Sequence, residues 1–232
     1  MEEKSSWRET IAMMRLLLLV EGQSEEVFVR DVLAPHYAQQ QVFITPIIVN
    51  TSPGFKGGVV SYAKVKPQLI KLCRQDGSAF VSTIFDLYAL PNDFPGKDAA
   101  DYPFQGSGHQ KASFIEDKLT QNINERNFIP NLLVHEFEAL LFTAPEKFGD
   151  WANDEECVRE LKAAASCHDS PEDINESPQM APSKRVLAAM PGYQKPLHGA
   201  LIAEAIGIDA MRAACPHFHG WLQKIDDLGG VL

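Results

Sequence analysis

The stretch LLLLVE at residues 16–21 is a short apolar run that ends on an acid, and the same pattern recurs twice along the chain. FVSTIFD at 80–86 ends on Asp86, and PNLLVHE at 130–136 ends on a histidine and a glutamate. Runs of this length and composition predict buried strands of a parallel sheet. If these strands are neighbours, their acids share the edge outside the carboxyl ends of the strands, where open α/β sheets bind ligands. Carboxylates gathered there commonly hold a hard divalent cation such as Mg²⁺ through oxygen ligands.

The segments between these strands have helical, strand-like or turn-forming patterns. The expected elements are a helix over 25–39 with Ser24 as its N-cap, a strand over 41–49, a flexible loop at 52–58, a helix through Cys73, an irregular segment over 88–109 and a helix over 110–125. The resulting order β-α-β-α-β-α-β is typical of a parallel sheet covered by helices.

The chain after the third strand has a helical pattern with short breaks. Helices are expected over 137–142, 155–165, 184–190, 198–206 and 209–228, and Trp221 is expected to anchor the last one in the core. We therefore predict an α/β core over 15–143 and an α-helical extension over 144–232 that packs on it. We also predict that residues 1–14 are a leader that is disordered or helical.

The charge, apolar stretches and cysteines of the chain argue against several classes of protein. The 232 residues carry a formal net charge of −10, which argues against a protein that coats nucleic acid by bulk electrostatics. A nucleic-acid substrate would then need bound metal, a local basic patch or a partner. The longest apolar stretch, at 13–20, is interrupted by Arg15, is shorter than the roughly 18 residues of a membrane span and has no signal-peptide cleavage site after it. Four widely spaced cysteines without a CxxC pair fit a reducing compartment. We therefore predict a cytoplasmic protein that does not enter membranes.

Glu21 and Asp86 are the main candidate metal ligands. Glu21 leaves its strand into Gly22, where glycine would let the backbone turn with little steric penalty. Either acid by itself also fits an exposed turn residue. Two such acids on adjacent strands could position a water and a phosphate around one cation. Glu25 follows in the first helical turn, where the helix dipole favours acids, and we assign it to the surroundings of the ligands.

The third strand leaves the identity of the completing acid open. HEFE at 135–138 opens a helix, but the zinc-protease motif HExxH requires a histidine at 139, which is alanine. Glu136 and Glu138 would point to different sides of that helix, so one of them faces the site and the other is a first-turn acid. His135 is a candidate ligand or proton carrier.

Cationic and hydroxyl side chains later in the chain are candidates for binding phosphate. Ser183, Lys184 and Arg185 begin a predicted helix, and helix N-termini bind anions. Tyr193 and Lys195 lie close in sequence and could serve the same anion. The alternative is an ordinary solvent-exposed helix start.

Several motifs together resemble the TOPRIM fold of topoisomerases, primases and OLD-type nucleases. They are VEGxxE at 20–25, FDxYxLP at 85–91 and HEFEALLF at 135–142. With PSKR at 182–185 and CPHF at 215–218, the chain is similar, over nearly its whole length from Arg15, to an uncharacterised bacterial family of TOPRIM-like proteins.

The resemblance implies a TOPRIM-like, Rossmann-like sheet with helices on both faces. In that fold a glutamate after the first strand and an Asp-x-Asp pair after a later strand gather Mg²⁺ around a phosphodiester. Members of the family are often encoded beside ABC-type ATPases, which implies an OLD-like ATPase partner and a role in phage defence. One departure matters, because Asp-x-Asp becomes Asp86-Leu87-Tyr88 and a tyrosine cannot bind Mg²⁺ as a carboxylate does. Glu136 or Glu138 would then supply the missing ligand.

These observations give one leading function and two rivals. The leading one is a Mg²⁺- or Mn²⁺-dependent phosphodiesterase, a nuclease that cuts DNA or RNA with an ATPase partner and uses Glu21, Asp86 and either Glu138 or Glu136 at the metal. The first rival is a catalytically degenerate adaptor or sensor that binds metal or nucleotide and docks the ATPase, favoured by the acidic charge and by Tyr88. The second is a toxin-like effector that acts on tRNA or another RNA.

Overall fold

The computed structural model has a parallel sheet at its centre, and this sheet contains the three apolar runs that end on acids, called the acid-tipped runs below. The structure describes residues 13–52, 55–56, 61–152, 154–175 and 177–229. The strands are β1 Met14–Val20, β2 Val42–Ile48, β3 Asn50–Ser52, β4 Phe55–Lys56, β5 Ala79–Asp86, β6 Phe128–Ile129 and β7 Leu132–Leu133. The α-helices are α1 Gln23–Phe28, α2 Ala34–Ala38, α3 Tyr62–Gln75, α4 Gly108–Ile123, α5 Glu138–Leu141, α6 Glu155–Ala165, α7 Pro182–Ala189, α8 Ala200–Ile206, α9 Ile208–Ala214 and α10 Pro216–Gly229. π-Helical segments span Val29–Leu33 and Lys195–Gly199, and 3-10 helices span Leu87–Ala89, Pro145–Asp150, Pro171–Asp173 and Pro178–Met180. Within the described ranges, no helix has both the length and the apolar composition needed to cross a membrane.

The strand order is β2-β1-β5-β6, with β7 also paired to β5, and each of these pairings is parallel. β1 lies inside the sheet, which explains why Leu16, Leu18, Leu19 and Val20 are fully buried. Pro46 lies in the edge strand β2, where a missing N–H is tolerated. The predicted α/β class with a mainly parallel sheet is confirmed. The three strands that precede the acids, β1, β5 and β7, are neighbours, as expected.

The third acid-tipped run is interrupted, so the prediction of one continuous strand over 130–134 is wrong. β6 and β7 are separated by Pro130, which has no N–H for a sheet ladder, and by Asn131. Asn131 bonds to Thr83 of β5 instead. Its N–H donates to Thr83 Oγ1 (3.0 Å), its Nδ2 donates to Thr83 O (3.2 Å), and the Thr83 hydroxyl donates to Asn131 O (2.7 Å). These bonds hold β7 in the register that pairs Leu133 with Asp86.

The first helix starts earlier than the sequence predicted. Gly22, and not Ser24, is the N-cap residue, and α1 begins at Gln23. Gly22 has φ −157° and ψ −166°, an extended conformation that other residues also adopt, so the expected need for glycine in a tight turn is wrong. Because the helix begins directly after the strand, Glu25 falls in its first turn and is buried.

Helices cover both faces of the sheet, and a separate core fills each side. Alternate residues of β1 enter different cores, with Leu18 facing the core of α1, α2 and the C-terminal helices and Leu19 facing the core of α3 and α4. Trp221 of α10 donates its Nε1–H to Ser82 Oγ of β5 (3.0 Å). This bond anchors α10 to the sheet. The prediction of a helical C-terminal part is confirmed.

Two helix boundaries differ from the predicted ones for local reasons. The helix expected from 110 begins at Gly108, because Ser107 and Gln110 form a capping box. The helix expected over 209–228 is divided into α9 and α10, because Pro216 disfavours a helical conformation at the preceding residue. The predicted leader up to residue 12, and residues 53–54 and 57–58 of the predicted loop, lie outside the described residues.

We predict that Gly108→Ala destabilises the protein. A Cβ at this position would lie 2.5 Å from Val134 Cγ1 and 3.2 Å from the His135 ring, so α4 or the chain after β7 must move, at a cost of about 1–3 kcal/mol. Urea denaturation followed by circular dichroism measures the change. Gly220→Ala in α10 is the matched control, since nothing lies within 4 Å of its Cβ position, and it should stabilise the helix by about 0.5–1 kcal/mol. A Gly108→Ala protein as stable as the wild type would contradict this packing.

Candidate functional site

Four carboxylates and one ammonium group meet at the carboxyl edge of the sheet. Lys195 Nζ lies 3.2 Å from Glu138 Oε2, 3.4 Å from Glu25 Oε1 and 3.5 Å from Asp86 Oδ2. Glu21 is the fourth acid and is near enough to Asp86 to interact with it electrostatically. We call these five residues the carboxylate–lysine cluster.

Each member of the cluster comes from a different part of the fold. Glu21 directly follows β1, and its N–H donates to Ile84 O of β5 (3.3 Å), so the sheet pairing continues past the end of the strand. Glu25 lies in the first turn of α1, Asp86 ends β5, Glu138 begins α5, and Lys195 begins the π-helical segment Lys195–Gly199. The parallel sheet and the helices that follow its strands bring the four acids to one edge, and the C-terminal helical part supplies the cation.

The turn between β7 and α5 holds Asp86 in place. The Phe137 N–H donates to Asp86 Oδ1 (3.1 Å), and the Tyr88 N–H donates to His135 O (3.1 Å). His135 has a φ of +68°, a left-handed conformation that costs a non-glycine residue about 1–2 kcal/mol. The hydrogen bond from Phe137 fixes one oxygen of Asp86, and the other oxygen faces Lys195.

Burial and mutual repulsion set the protonation of the cluster. Burial raises the pKa of Asp86 well above its ordinary value. Lys195 opposes this rise, and the charges of Glu25, Glu21 and Glu138 add to it. Burial also raises the pKa of Glu138, again against Lys195. For Lys195, burial lowers the pKa, but the charges of Asp86, Glu138 and Glu25 outweigh burial and the pKa is raised overall. The lysine is therefore held as an ammonium ion beside Asp86 and Glu138, two acids that are costly to ionise.

Of the two acids that the sequence left open, Glu138 faces the cluster. Its side chain is fully buried, and neither carboxylate oxygen accepts a hydrogen bond from a described residue, so the ion pair to Lys195 is its main polar contact. Glu136 Oε2 instead accepts a hydrogen bond from the Ser183 N–H at the start of α7 (2.9 Å). The Glu136 carboxylate thus binds the N-terminus of α7 and not the cluster.

The predicted phosphate-binding residues are directed to different partners. The start of α7 is directed to a carboxylate of the chain itself through the Ser183 N–H. Arg185 Nε donates to a backbone carbonyl, that of Met180 (2.8 Å), and Lys184 is exposed. Lys195 is directed to the acids at the sheet edge.

The remaining candidates lie around the cluster. Tyr88 is 45% exposed, so its ring is not buried among the acids. His135 Nδ1 lies 2.9 Å from Asn175 Nδ2, and burial lowers the pKa of His135, which favours a neutral ring that accepts this hydrogen bond. Burial also raises the pKa of Tyr193, with the charge of Glu138 adding to the rise. Asn175 was not predicted as part of the site, because no sequence motif connects it to His135.

The donor set suits a divalent cation, although the observed arrangement is a network of ion pairs. Within the described part of the chain, no group of three or more His, Cys, Asp or Glu side chains has the spacing of a metal site, and the Lys195 ammonium lies between the acids. Four negative charges against one positive charge give a formal charge of −3 when all five groups are ionised. The acceptors are all carboxylate oxygens, which are the ligands that Mg²⁺ and Mn²⁺ prefer.

Comparisons with known proteins give a family match and distant structural likenesses. A family model described as "Domain of unknown function (DUF4276)" matches residues 20–226. No curated protein matches the chain. The C-terminal region of the Burkholderia pseudomallei OLD protein is a similar solved structure, with 13% identity, coverage of 94% of this chain and 100% of that chain, and a TM-score of 0.46. The C-terminal region of the Xanthomonas campestris pv. campestris OLD protein has 14% identity, coverage of 92% and 99%, and a TM-score of 0.39.

We predict that the free energy of unfolding of Glu138→Gln, taken relative to that of the wild type, increases when the pH is raised from 5 to 8. Because the pKa of Glu138 is raised in the folded state, the folded protein holds this proton more tightly than the unfolded chain does. The wild type therefore loses stability as the pH rises from the ordinary carboxylate value of about 4.3 towards the raised pKa. Glutamine stays neutral and escapes that loss. Urea denaturation of both proteins at both pH values measures the difference.

The control for this experiment is a core truncation that removes no titratable group. Leu161→Ala in α6 alters a residue that is 1% exposed and should cost about 2–5 kcal/mol at either pH. A stability difference between Glu138→Gln and wild type that is the same at pH 5 and pH 8 would contradict the raised pKa of Glu138.

Proposed function

Because the chain belongs to the family described as a domain of unknown function, DUF4276, we propose its function from the site itself: a divalent-metal-dependent phosphodiesterase, and more specifically a nuclease. The observation that carries this proposal is the convergence of three carboxylates on Lys195 Nζ, with a fourth acid beside them, at the carboxyl edge of a parallel sheet. Open α/β sheets bind their ligands at this edge. Acids gathered there are suited to metal-assisted phosphoryl chemistry.

The proposal gives each member of the cluster a role. Glu21, Asp86 and Glu138 would hold Mg²⁺ or Mn²⁺ through carboxylate oxygens. The metal would polarise the phosphoryl group and lower the pKa of a bound water. Glu21 would also exchange a proton with the attacking water, and Glu25 would add negative charge around the ligands. Lys195 would bind a phosphate oxygen of the substrate.

Residues around the cluster would keep the ligands in position. The hydrogen bond from the Phe137 N–H to Asp86 Oδ1 restricts the rotation of that carboxylate. The contact between His135 and Asn175 supports the turn that presents this N–H. A ligand that is already oriented loses less entropy when it binds a cation, so these contacts would strengthen metal binding without touching the metal.

We propose DNA or RNA as the substrate and an ATPase as the partner. The net charge of −10 means that attraction to a phosphate backbone would have to be local, through the metal and Lys195. The resemblance of the sequence motifs to OLD-like proteins supports an ABC-type ATPase partner and a role in phage defence. The four cysteines are all unpaired, which supports a reducing compartment such as the cytoplasm.

The nuclease proposal is tested by cleavage assays with Mn²⁺. The purified protein should cut DNA or RNA, and Asp86→Asn and Glu138→Gln should each lower the rate by about 100-fold or more, because each removes a charged metal ligand. Glu136→Gln is the matched control. It lies on the same turn, and a glutamine oxygen can still accept the hydrogen bond from the Ser183 N–H, so its rate should stay near that of the wild type.

Cleavage assays on several substrates distinguish a DNA nuclease from an effector that cuts RNA. Plasmid DNA, single-stranded DNA and tRNA would be offered with and without an ATPase partner. Cleavage of RNA alone would support the toxin-like effector over a DNA nuclease. Equal cleavage by the wild type, Asp86→Asn and Glu138→Gln would remove these residues from the reaction.

A catalytically degenerate adaptor or sensor is the second candidate. It is favoured by Lys195, which already offsets part of the acidic charge, and by the exposed Tyr88 at the position of the second aspartate. Calorimetric titration with Mn²⁺ and with nucleotides separates the two candidates. Binding without turnover, even when an ATPase partner is present, would favour the adaptor.

A further inference from the structure

We propose that Lys195 is the resident counter-ion of the carboxylate–lysine cluster and that a divalent cation competes with its ammonium group for the same oxygens. In the metal-free protein, Lys195 holds the acids together. When the cation binds, the lysine leaves towards solvent. This role rests on the proposed function, because it takes the cluster to be the metal site.

The position of the ammonium group is the first support for this role. Lys195 Nζ lies within 3.5 Å of oxygens from Glu25, Asp86 and Glu138, which come from three different elements. Carboxylates that share a site repel one another unless a positive charge lies between them. The lysine therefore lies between the acids that would bind the metal ion.

Glu138 provides the second support. Its carboxylate is fully buried, and neither oxygen accepts a hydrogen bond from the described residues. A buried carboxylate in this condition is costly unless a cation is close, and the ion pair to Lys195 at 3.2 Å supplies that cation. A divalent ion could replace the ammonium as the cationic partner of this carboxylate.

Lys195 also has a route out of the cluster. Its side chain is 34% exposed, whereas those of Glu25, Asp86 and Glu138 are 5%, 10% and 1% exposed. Lysine is a point charge on a flexible four-carbon stem. Rotation about the bonds of that stem can carry the ammonium group to solvent. The acids, which do not have the spacing of a metal site in the described part of the chain, would then draw together around the ion.

The exchange has a consequence for substrate binding. Replacing one ammonium by a divalent cation changes the formal charge of the four-acid site from −3 to −2, while Lys195 loses three ion pairs. Lys195 thus lowers the metal affinity of the site and in return keeps the acids assembled before the metal arrives. Once released, the ammonium group lies at the mouth of the site, where it can bind a phosphate. Metal binding and phosphate binding would be linked through this one side chain.

Calorimetric titration of Mn²⁺ into Lys195→Met tests the competition. Methionine keeps an unbranched stem of similar length without the charge. If the ammonium occupies the site for most of the time in the wild type, removing it should tighten Mn²⁺ binding by about tenfold or more. Lys184→Met, at an exposed position of α7, makes the same change in net charge and should bind Mn²⁺ as the wild type does.

The outcomes separate this role from the proposed function. Equal or weaker Mn²⁺ binding by Lys195→Met, with binding by the wild type that Glu138→Gln removes, would overturn the counter-ion role and leave the metal site standing. Absence of Mn²⁺ binding by the wild type and by every variant would overturn both.

A second measurement uses the wild-type protein and does not depend on the folding of a variant. Brief acetylation of amines, quantified by mass spectrometry, reports how accessible each lysine is with and without saturating Mn²⁺. Lys195 should be acetylated several times faster when Mn²⁺ is bound, while the rate at Lys184 stays constant. A rate at Lys195 that Mn²⁺ leaves unchanged or lowers would contradict its release.

Discussion

Several acids buried side by side are unfavourable unless a positive charge lies close to them, and much of this protein is arranged around that requirement. The parallel sheet and the elements that follow its strands bring Glu25, Asp86 and Glu138 together, and the charge that holds them comes from Lys195 in the C-terminal helical part. The helical part is therefore more than a cover for one face of the sheet. The candidate site is incomplete without it, because the acids alone would repel one another.

The turn after β7 contacts both an acid of the cluster and a helix of the C-terminal part. Its residue at positive φ, His135, directs the chain so that the Phe137 N–H meets Asp86, while Glu136 in the same turn accepts from the N-terminus of α7. One short segment thus orients an acid of the cluster and fixes a helix of the C-terminal part. The close approach of Gly108 to His135 leaves little room for this turn to move. Rigid support of this kind is what a site of precise geometry needs.

Local sequence patterns predicted the architecture well and its details less well. Apolar runs and helical periodicity indicated the parallel sheet, its neighbouring acid-tipped strands and the helical C-terminal part, because these depend on burial along each segment. The split of the third strand at Pro130 was missed, although proline cannot join a ladder, since the Thr83 partner of Asn131 lies on another strand. The choice between Glu136 and Glu138 was also beyond the sequence, because it depends on where α7 begins.

The sequence by itself determined that acids would meet at one edge of a parallel sheet, since each acid ends or follows a buried run and the order of the elements makes those runs neighbours. Only the tertiary structure decided that Lys195 stands among them. Nothing near Lys195 in the sequence marks it as a partner of Glu138, and the attraction between them acts through space over 3.2 Å. Periodicity reports how a segment is buried, whereas charge pairing depends on which distant segments the packed core brings into contact.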